Sequence, residues 1–354
     1  MPGLSRKFAF ALLSTTVALG CLEVLAIGVE RIWPLDPLRP LPKPGAAECL
    51  PDCMPGMAEL PEQPKGLPRG IPMVPHGRRA WALPPNTTMV ETNVAVRVNS
   101  LALRGAEVAT KGPHERRILT LGDSSVFGFG VDEDAIFSSV AARKLSEQWQ
   151  RSVTSINGAT PGYTSVQALH TLEDVGALVQ PDFVVIATLW SDLFQTDTPV
   201  ERSGGQRHPL AAYRLSVRLL SPWLSAPTVG WVQGHVGAEQ LGRSARVGLE
   251  RYTRTLQQLV DLSRKLGAKP VILVLPAPID LDAEPTPALI TGYREALKRV
   301  AGENNLLVVD GVATFVENRA TNSEFFDQVH PSSSGHRMLG EALAQVLGSE
   351  GGSR

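Results

Sequence analysis

Apolar residues in this chain fall in short, dense runs separated by glycine, proline and small polar residues. Ile118 to Leu121 is one such run, cut off by Gly122 and followed by Asp123-Ser-Ser125. A run of this length with a glycine stop predicts a buried parallel strand that ends in a tight turn. Val153 to Ile156, Phe183 to Leu189, Pro270 to Leu275 and Leu306 to Asp310 repeat the pattern. Between these runs apolar positions recur at helical spacing: Ile136, Val140, Leu145 and Trp149 in one segment, Val166 to Leu178 in the next. Leu249, Tyr252, Leu256, Leu259, Val260 and Leu266 trace one face of a long helix, Thr291 to Glu303 forms another, and Met338, Leu343 and Val346 mark a C-terminal one. Strand and helix alternating in this way predict a parallel sheet with right-handed crossovers.

Upstream the pattern changes twice. Arg6 and Lys7 precede an uncharged run from Phe8 to Leu22, which Glu23 interrupts before Val24 to Val29 is apolar again. A spanning helix needs about 20 apolar residues, so residues 1–33 are expected to be a signal or membrane anchor. The basic flank would stay in the cytoplasm, placing the rest outside it. Three fates stay open: an uncut single-pass anchor in the cell membrane, cleavage near Ala26-Ile-Gly28 to give a secreted or periplasmic protein, or lipoprotein processing at Leu19-Gly-Cys21. Residues 34–85 are rich in proline and glycine and read as a linker or extended strap. Thr92 to Leu103 alternates around Val94, Val96 and Val98, which predicts a half-exposed strand. The main domain is expected over residues 86–354, with 193–245 an insertion near the active-site edge.

Composition narrows the chemistry. The chain has 354 residues, 43% of them hydrophobic, enough for a large core. A net charge of -1 leaves no basic footprint for nucleic acid. Cys49 and Cys53 either close a small disulfide in an exported segment or remain two free thiols, and no cluster has zinc-ligand spacing. Gly128 and Gly130 lack the lysine and the spacing of a phosphate-binding loop. No metal or organic cofactor is required.

Ser124 would lie at the carboxyl end of the first strand, the edge where open α/β sheets bind ligands. Asp327 and His330 form the second half of a constellation. A carboxylate three residues before a histidine can fold back and accept from one ring nitrogen, leaving the other to take a proton from a serine. Other polar residues have plainer readings. Asp123 orders the turn, Asp192 is structural, Trp190 is a crevice wall or a core residue, and His336 sits on a helix surface.

The chain resembles SGNH (GDSL-like) hydrolases, in particular the bacterial branch with an N-terminal membrane anchor. Gly122-Asp-Ser-Ser125 matches the first block of that family, Asn157-Gly-Ala-Thr-Pro-Gly162 the second and Asp327-Gln-Val-His330 the last. Asn99-Ser-Leu-Ala-Leu-Arg-Gly105 is similar to the branch's lead-in segment. The resemblance implies a three-layer α/β/α flavodoxin-like parallel sheet, the SGNH hydrolase fold. It also implies acyl-ester chemistry with Ser124 as nucleophile and Asp327 and His330 completing the triad. The oxyanion donors would be the backbone N–H groups of Ser124 and Gly162. The third block normally supplies an asparagine as a further donor, and here that position is Ser191, whose hydroxyl reaches less far.

The expected function is a serine esterase that hydrolyses O-acyl esters of the kind found on cell-envelope glycans or lipids. Its partners would be a small-molecule or glycan acyl ester and, through the N-terminal segment, a membrane. An O-acyltransferase using the same triad and a non-catalytic carbohydrate-binding protein are the alternatives.

Overall fold

A computed structural model describes residues 18–29, 71, 73–92, 94–193, 245–282 and 285–352. Five parallel strands form the central sheet: β5 (Arg116–Gly122), β6 (Val153–Asn157), β7 (Phe183–Ala187), β8 (Lys269–Val274) and β9 (Leu307–Asp310). They lie in the order β6-β5-β7-β8-β9. The first strand in sequence therefore has the second on one side and the third on the other. Successive crossovers leave β5 in opposite directions, so its carboxyl end lies where strand order reverses, the place at which open α/β sheets bind ligands.

Helices cover both faces. On one, α3 (Phe137–Trp149) packs against the C-terminal helix α9 (Ser333–Gly348), which also meets α8 (Gly311–Glu317). On the other, α4 (Ser165–Val179) packs on α6 (Leu249–Lys265), and α6 on α7 (Ala288–Glu303). A sheet covered on both faces has no polar side to present, which is why its strands read as unbroken apolar runs. Ile118, Leu119 and Leu121 of β5 and Val184, Val185 and Ile186 of β7 are wholly buried. At roughly 1.5–3 kcal/mol for each large aliphatic side chain removed from water, this layer is the main source of stability.

Two one-turn helices sit at the carboxyl edge, α2 (Ser124–Phe127) after β5 and α5 (Trp190–Leu193) after β7. The apolar run to Leu189 is thus shorter as a strand than its composition implies, because Trp190 begins a helical turn. The expected insertion at 193–245 lies outside the described residues, apart from its two ends.

The N-terminal part of the domain departs from expectation. Residues 73–85 fall within the stretch read as a linker, yet Val74–His76 (β1) pairs antiparallel with Ala80–Ala82 (β2). His76, Arg79, Trp81, Ala82 and Leu83 are buried. Pro75 enters the hairpin itself, opposite Trp81 in the central pair of this two-stranded ladder, and the apolar run Trp81 to Leu83 is what packs. The rest of the stretch, 34–70, lies outside the described residues, as do Cys49 and Cys53. The strand expected over Thr92 to Leu103 is also different. Thr87–Glu91 (β3) pairs with Val94–Val98 (β4) in a second hairpin, and Asn99 then turns the chain. Its side-chain oxygen accepts from the N–H groups of Leu101 and Leu103 at 3.0 and 3.1 Å.

Residues 18–29 are helical, α1. No helix among the described residues is long and apolar enough to cross a membrane. Residues 1–17, the first part of the expected anchor, lie outside the described residues.

Candidate active site

Gly122 ends β5 because nothing larger fits. A Cβ there would stand 2.4 Å from the Val126 side chain and 2.5 Å from the Ala187 carbonyl oxygen. The chain then turns at Asp123, the N-cap of α2, whose carboxylate accepts from the Ser125 N–H at 3.0 Å. Its other oxygen accepts from the Ser191 N–H, also at 3.0 Å. Asp123 therefore holds the turn after β5 to the turn after β7. Burial pushes its carboxyl above the ordinary carboxylate range.

Ser124 is the first residue of α2 and is 6% exposed. Its Oγ lies 2.7 Å from His330 Nε2. On the far side of the ring, His330 Nδ1 lies 2.6 Å from Asp327 Oδ2. Asp327 Oδ1 accepts the N–H groups of Val329 and His330, each at 2.9 Å, so one carboxylate forms the turn and orients the ring within it. Burial raises the Asp327 carboxyl, but the hydrogen bond and electrostatic pull of His330 and the backbone donors outweigh this and leave the group below its ordinary value. An ionised Asp327 accepts from Nδ1–H, which leaves Nε2 as the acceptor facing the serine hydroxyl. The Phe129 ring packs on the imidazole at a centroid distance of 5.0 Å, and Ser125 Oγ donates to the Val329 carbonyl at 2.8 Å. Ser124, Ser125 and Phe129 are thereby joined to Val329 and His330, about 200 residues further along the chain. The arrangement can take a proton from Ser124 as its oxygen attacks a carbonyl carbon, and return that proton to a leaving alcohol.

The second block curls over the same edge. Thr160 N–H donates to the Gly122 carbonyl at 3.2 Å, and Tyr163 N–H to the Thr160 carbonyl at 3.1 Å, closing a β-turn around Pro161 and Gly162. Gly162 has φ +78°, the left-handed value that the third position of a type II turn requires. Arg246 Nη1 donates to its carbonyl at 2.8 Å. Asp192 fixes the block from beneath, accepting from Ser165 N–H at 2.9 Å and Ser165 Oγ at 2.6 Å at the start of α4. Burial raises this carboxyl to about 7.

All five residues expected to act at the site thus lie in the turns at this edge. Ser124, His330 and Asp327 bond in series, Gly162 occupies the turn bonded to Gly122, and Ser191 is tied by its N–H to Asp123. Asp192 and Asp123 hold the framework together, as expected. Trp190 is a core residue with the Arg294 guanidinium 5.5 Å from its ring centroid. His336 is the exception. The expected surface histidine is 1% exposed, stacks on Phe137 and accepts the Phe137 N–H at Nδ1, 3.2 Å away. It faces α3 because α9 lies flat against that helix. Burial and the nearby positive charges of Arg104 and His330 push its pKa down to about 3, so it is neutral.

Two residues near the site carry no expectation from sequence. Arg104 is buried, donates from Nη1 to the carbonyls of Phe127 and Gly128 at 3.0 and 2.7 Å and from Nη2 to Val131, and lies over the Phe127 ring. Glu91, at the end of β3, accepts the Gly130 N–H at 2.7 Å. Burial raises the Glu91 carboxyl to about 7 against the pull of that N–H, Arg104 and His330. Together they grip the loop that carries Phe129. Arg104 lies in the lead-in segment, so its place was marked, but its partners are more than 20 residues away.

Among the described residues no group of histidine, cysteine and carboxylate side chains has the arrangement of a metal site. Residues 120–338 match the GDSL-like Lipase/Acylhydrolase family. An acetylxylan esterase of Geobacillus stearothermophilus is 32% identical over 132 residues, 34% of this chain and 60% of that protein, so the match spans less than two thirds of the relative's length. Among solved structures, an acetylxylan esterase from the same organism aligns at 20% identity and TM-score 0.45, covering 66% of this chain and 94% of that one. The lipase/acylhydrolase of Enterococcus faecalis aligns at 16% identity and TM-score 0.45, covering 66% and 96%. With its family match extending from inside β5 into α9, the chain belongs to the GDSL-like lipase/acylhydrolase family, a family of ester-hydrolysing enzymes.

Proposed function

We propose that this protein is a serine esterase that removes small O-acyl groups, acetyl foremost, from carbohydrate hydroxyls. The observation that carries this reading is the unbroken series from Ser124 Oγ to His330 to Asp327, at 2.7 and 2.6 Å. Ser124 attacks the ester carbonyl, His330 accepts its proton and passes it to the departing sugar alcohol, and Asp327 steadies the imidazolium. Water, activated by His330, then releases the acid. The Ser124 and Gly162 N–H groups are the proposed oxyanion donors, with the Ser191 hydroxyl a weaker third. An acetyl ester on a sugar is favoured by the acetylxylan esterase relative.

The proposed setting is extracytoplasmic, with the segment around residues 8–29 as membrane anchor. Its support is the order of basic flank, apolar run and proline-rich spacer in the sequence.

The test is turnover of a short-chain aryl acetate by the full chain in detergent, wild type against Ser124→Ala. Loss of the triad nucleophile is expected to lower kcat by about 10³-fold or more. Equal turnover in the two proteins would sink the reading. Release of free acetate, undiminished by added sugar acceptors, separates hydrolysis from acyl transfer.

A further inference from the structure

The peptide between Pro161 and Gly162 is the central unit of a β-turn, and its orientation is decided from outside the sheet. In a planar trans peptide the C=O of one residue and the N–H of the next point in opposite directions. Fixing the Pro161 carbonyl therefore fixes the Gly162 N–H. Type I and type II turns share their ends and differ by a flip of this unit, which reverses both groups. Proline at the second position suits either type, and glycine at the third permits type II without forcing it. Something else has to hold the peptide in one orientation.

That contact comes from the β1–β2 hairpin. Trp81 Nε1 donates to the Pro161 carbonyl at 3.2 Å across 80 residues of sequence. The indole is itself held in place. Tyr163 Oη donates to the Trp81 carbonyl at 2.6 Å, the two rings lie 5.8 Å apart, and the Arg246 guanidinium stands 5.6 Å from the indole centroid while bonding the Gly162 carbonyl. The hairpin is in turn tied to α4 by Arg79, whose Nε lies 3.2 Å from Asp174, and by the bond from Gln167 to the Arg79 carbonyl at 2.7 Å.

We infer that Trp81 is a positioning residue for the oxyanion hole: its indole N–H holds the Pro161–Gly162 peptide in the orientation that aims the Gly162 N–H at the reacting carbonyl oxygen. This rests on the esterase reading, in which Gly162 is a donor. A donor that is already aimed acts only as negative charge grows on that oxygen, so its loss appears in kcat rather than KM.

The experiment compares the full-length wild type with Trp81→Phe, Asp174→Asn and Ser124→Ala on a short-chain aryl acetate, with melting curves on each. Trp81→Phe keeps an aromatic ring and removes the donor. It is expected to lower kcat about 10- to 100-fold with KM changed less than about twofold, and to weaken inhibition by a boronic acid, a tetrahedral mimic, by a similar factor. Asp174→Asn loosens the hairpin without touching the turn and is expected to melt lower while keeping its kcat. A folded Trp81→Phe with wild-type kcat overturns the inference, as does an Asp174→Asn that loses kcat to the same degree. Should Trp81→Phe not fold, site-specific replacement of Trp81 by its benzothienyl analogue removes only the N–H, and unchanged kcat there overturns the inference equally. Full turnover in Ser124→Ala is a separate failure, that of the esterase reading itself.

Discussion

The carboxyl edge of the sheet and the N-terminal arm, residues 73–104, converge on the same serine by different means. At the edge each turn has local contacts of its own, besides the bonds that join one turn to another. Asp327 bonds residues two and three positions ahead of it, and Asp123 bonds one two positions ahead. Each turn largely builds itself, and the sheet has only to bring the turns together. The arm has no such economy. Trp81 reaches Pro161, Glu91 reaches Gly130 and Arg104 reaches Phe127, bonds that span 80, 39 and 23 residues of sequence. What the difference teaches is a division of labour: the edge carries the groups proposed to react, and the arm carries groups that hold the loops bearing them. Chemistry should therefore fail when the edge is altered, while stability and alignment should fail when the arm is altered.

Asp327→Asn tests the edge most severely. An amide NH₂ facing Nδ1 favours the tautomer with a proton on Nε2, and a protonated Nε2 cannot accept from Ser124. Turnover of an aryl acetate is expected to fall roughly 10³- to 10⁴-fold while the melting temperature moves by only a few degrees. A fall in turnover that merely tracks lost folding would erase the distinction between the two regions.

Arg104→Ala tests the arm. It strips the guanidinium donors from the carbonyls of Phe127, Gly128 and Val131 and removes a positive charge that pulls the Glu91 carboxyl down. Asn157 Nδ2 still donates to the Phe127 carbonyl and the Val131 N–H to the Gly128 carbonyl, so the loss is expected to destabilise by about 1–3 kcal/mol in urea titration, with kcat of the folded fraction falling far less than in Asp327→Asn. If kcat instead fell as far, the arm would belong to the reacting apparatus.

Glu91→Gln sharpens the comparison further. The Glu91 carboxyl is raised in the fold to about 7 from 4.5, so over that interval the folded protein keeps a proton that the unfolded chain has lost. Its contribution to stability is fully present below pH 4.5 and is lost as pH rises through 7. The glutamine carries no charge to lose and still accepts from Gly130. Its advantage over wild type should therefore grow from pH 5 to pH 8, to about 3 kcal/mol. Parallel stability curves for the two proteins would show that Glu91 is not strained by burial.

The same division explains what could be read from the chain before its structure. The parallel sheet was legible because strands covered on both faces must be apolar throughout, so Ile118 to Leu121 and Phe183 to Ala187 announce themselves. Ser124, Asp327 and His330 were legible because each sits in a turn whose local chemistry is compressed into three or four residues. Trp81 was not, since prolines in the surrounding stretch argue for a linker and nothing nearby in sequence points to Pro161. The burial of His336 was missed because its position on α9 reveals its partner only once α3 is known to lie alongside. Glu91 reads as the polar end of an alternating strand, and its burial depends on a loop 39 residues away.

Asp123 takes hold of residue 191 through the main chain, accepting its N–H rather than any side-chain atom. Nineteen of the amino acids can supply that group and only proline cannot. Position 191 is thus an interchangeable fitting in a fixed socket. In the proposed esterase, mutation can therefore change the side chain offered at residue 191 without removing the main-chain bond that holds the turn.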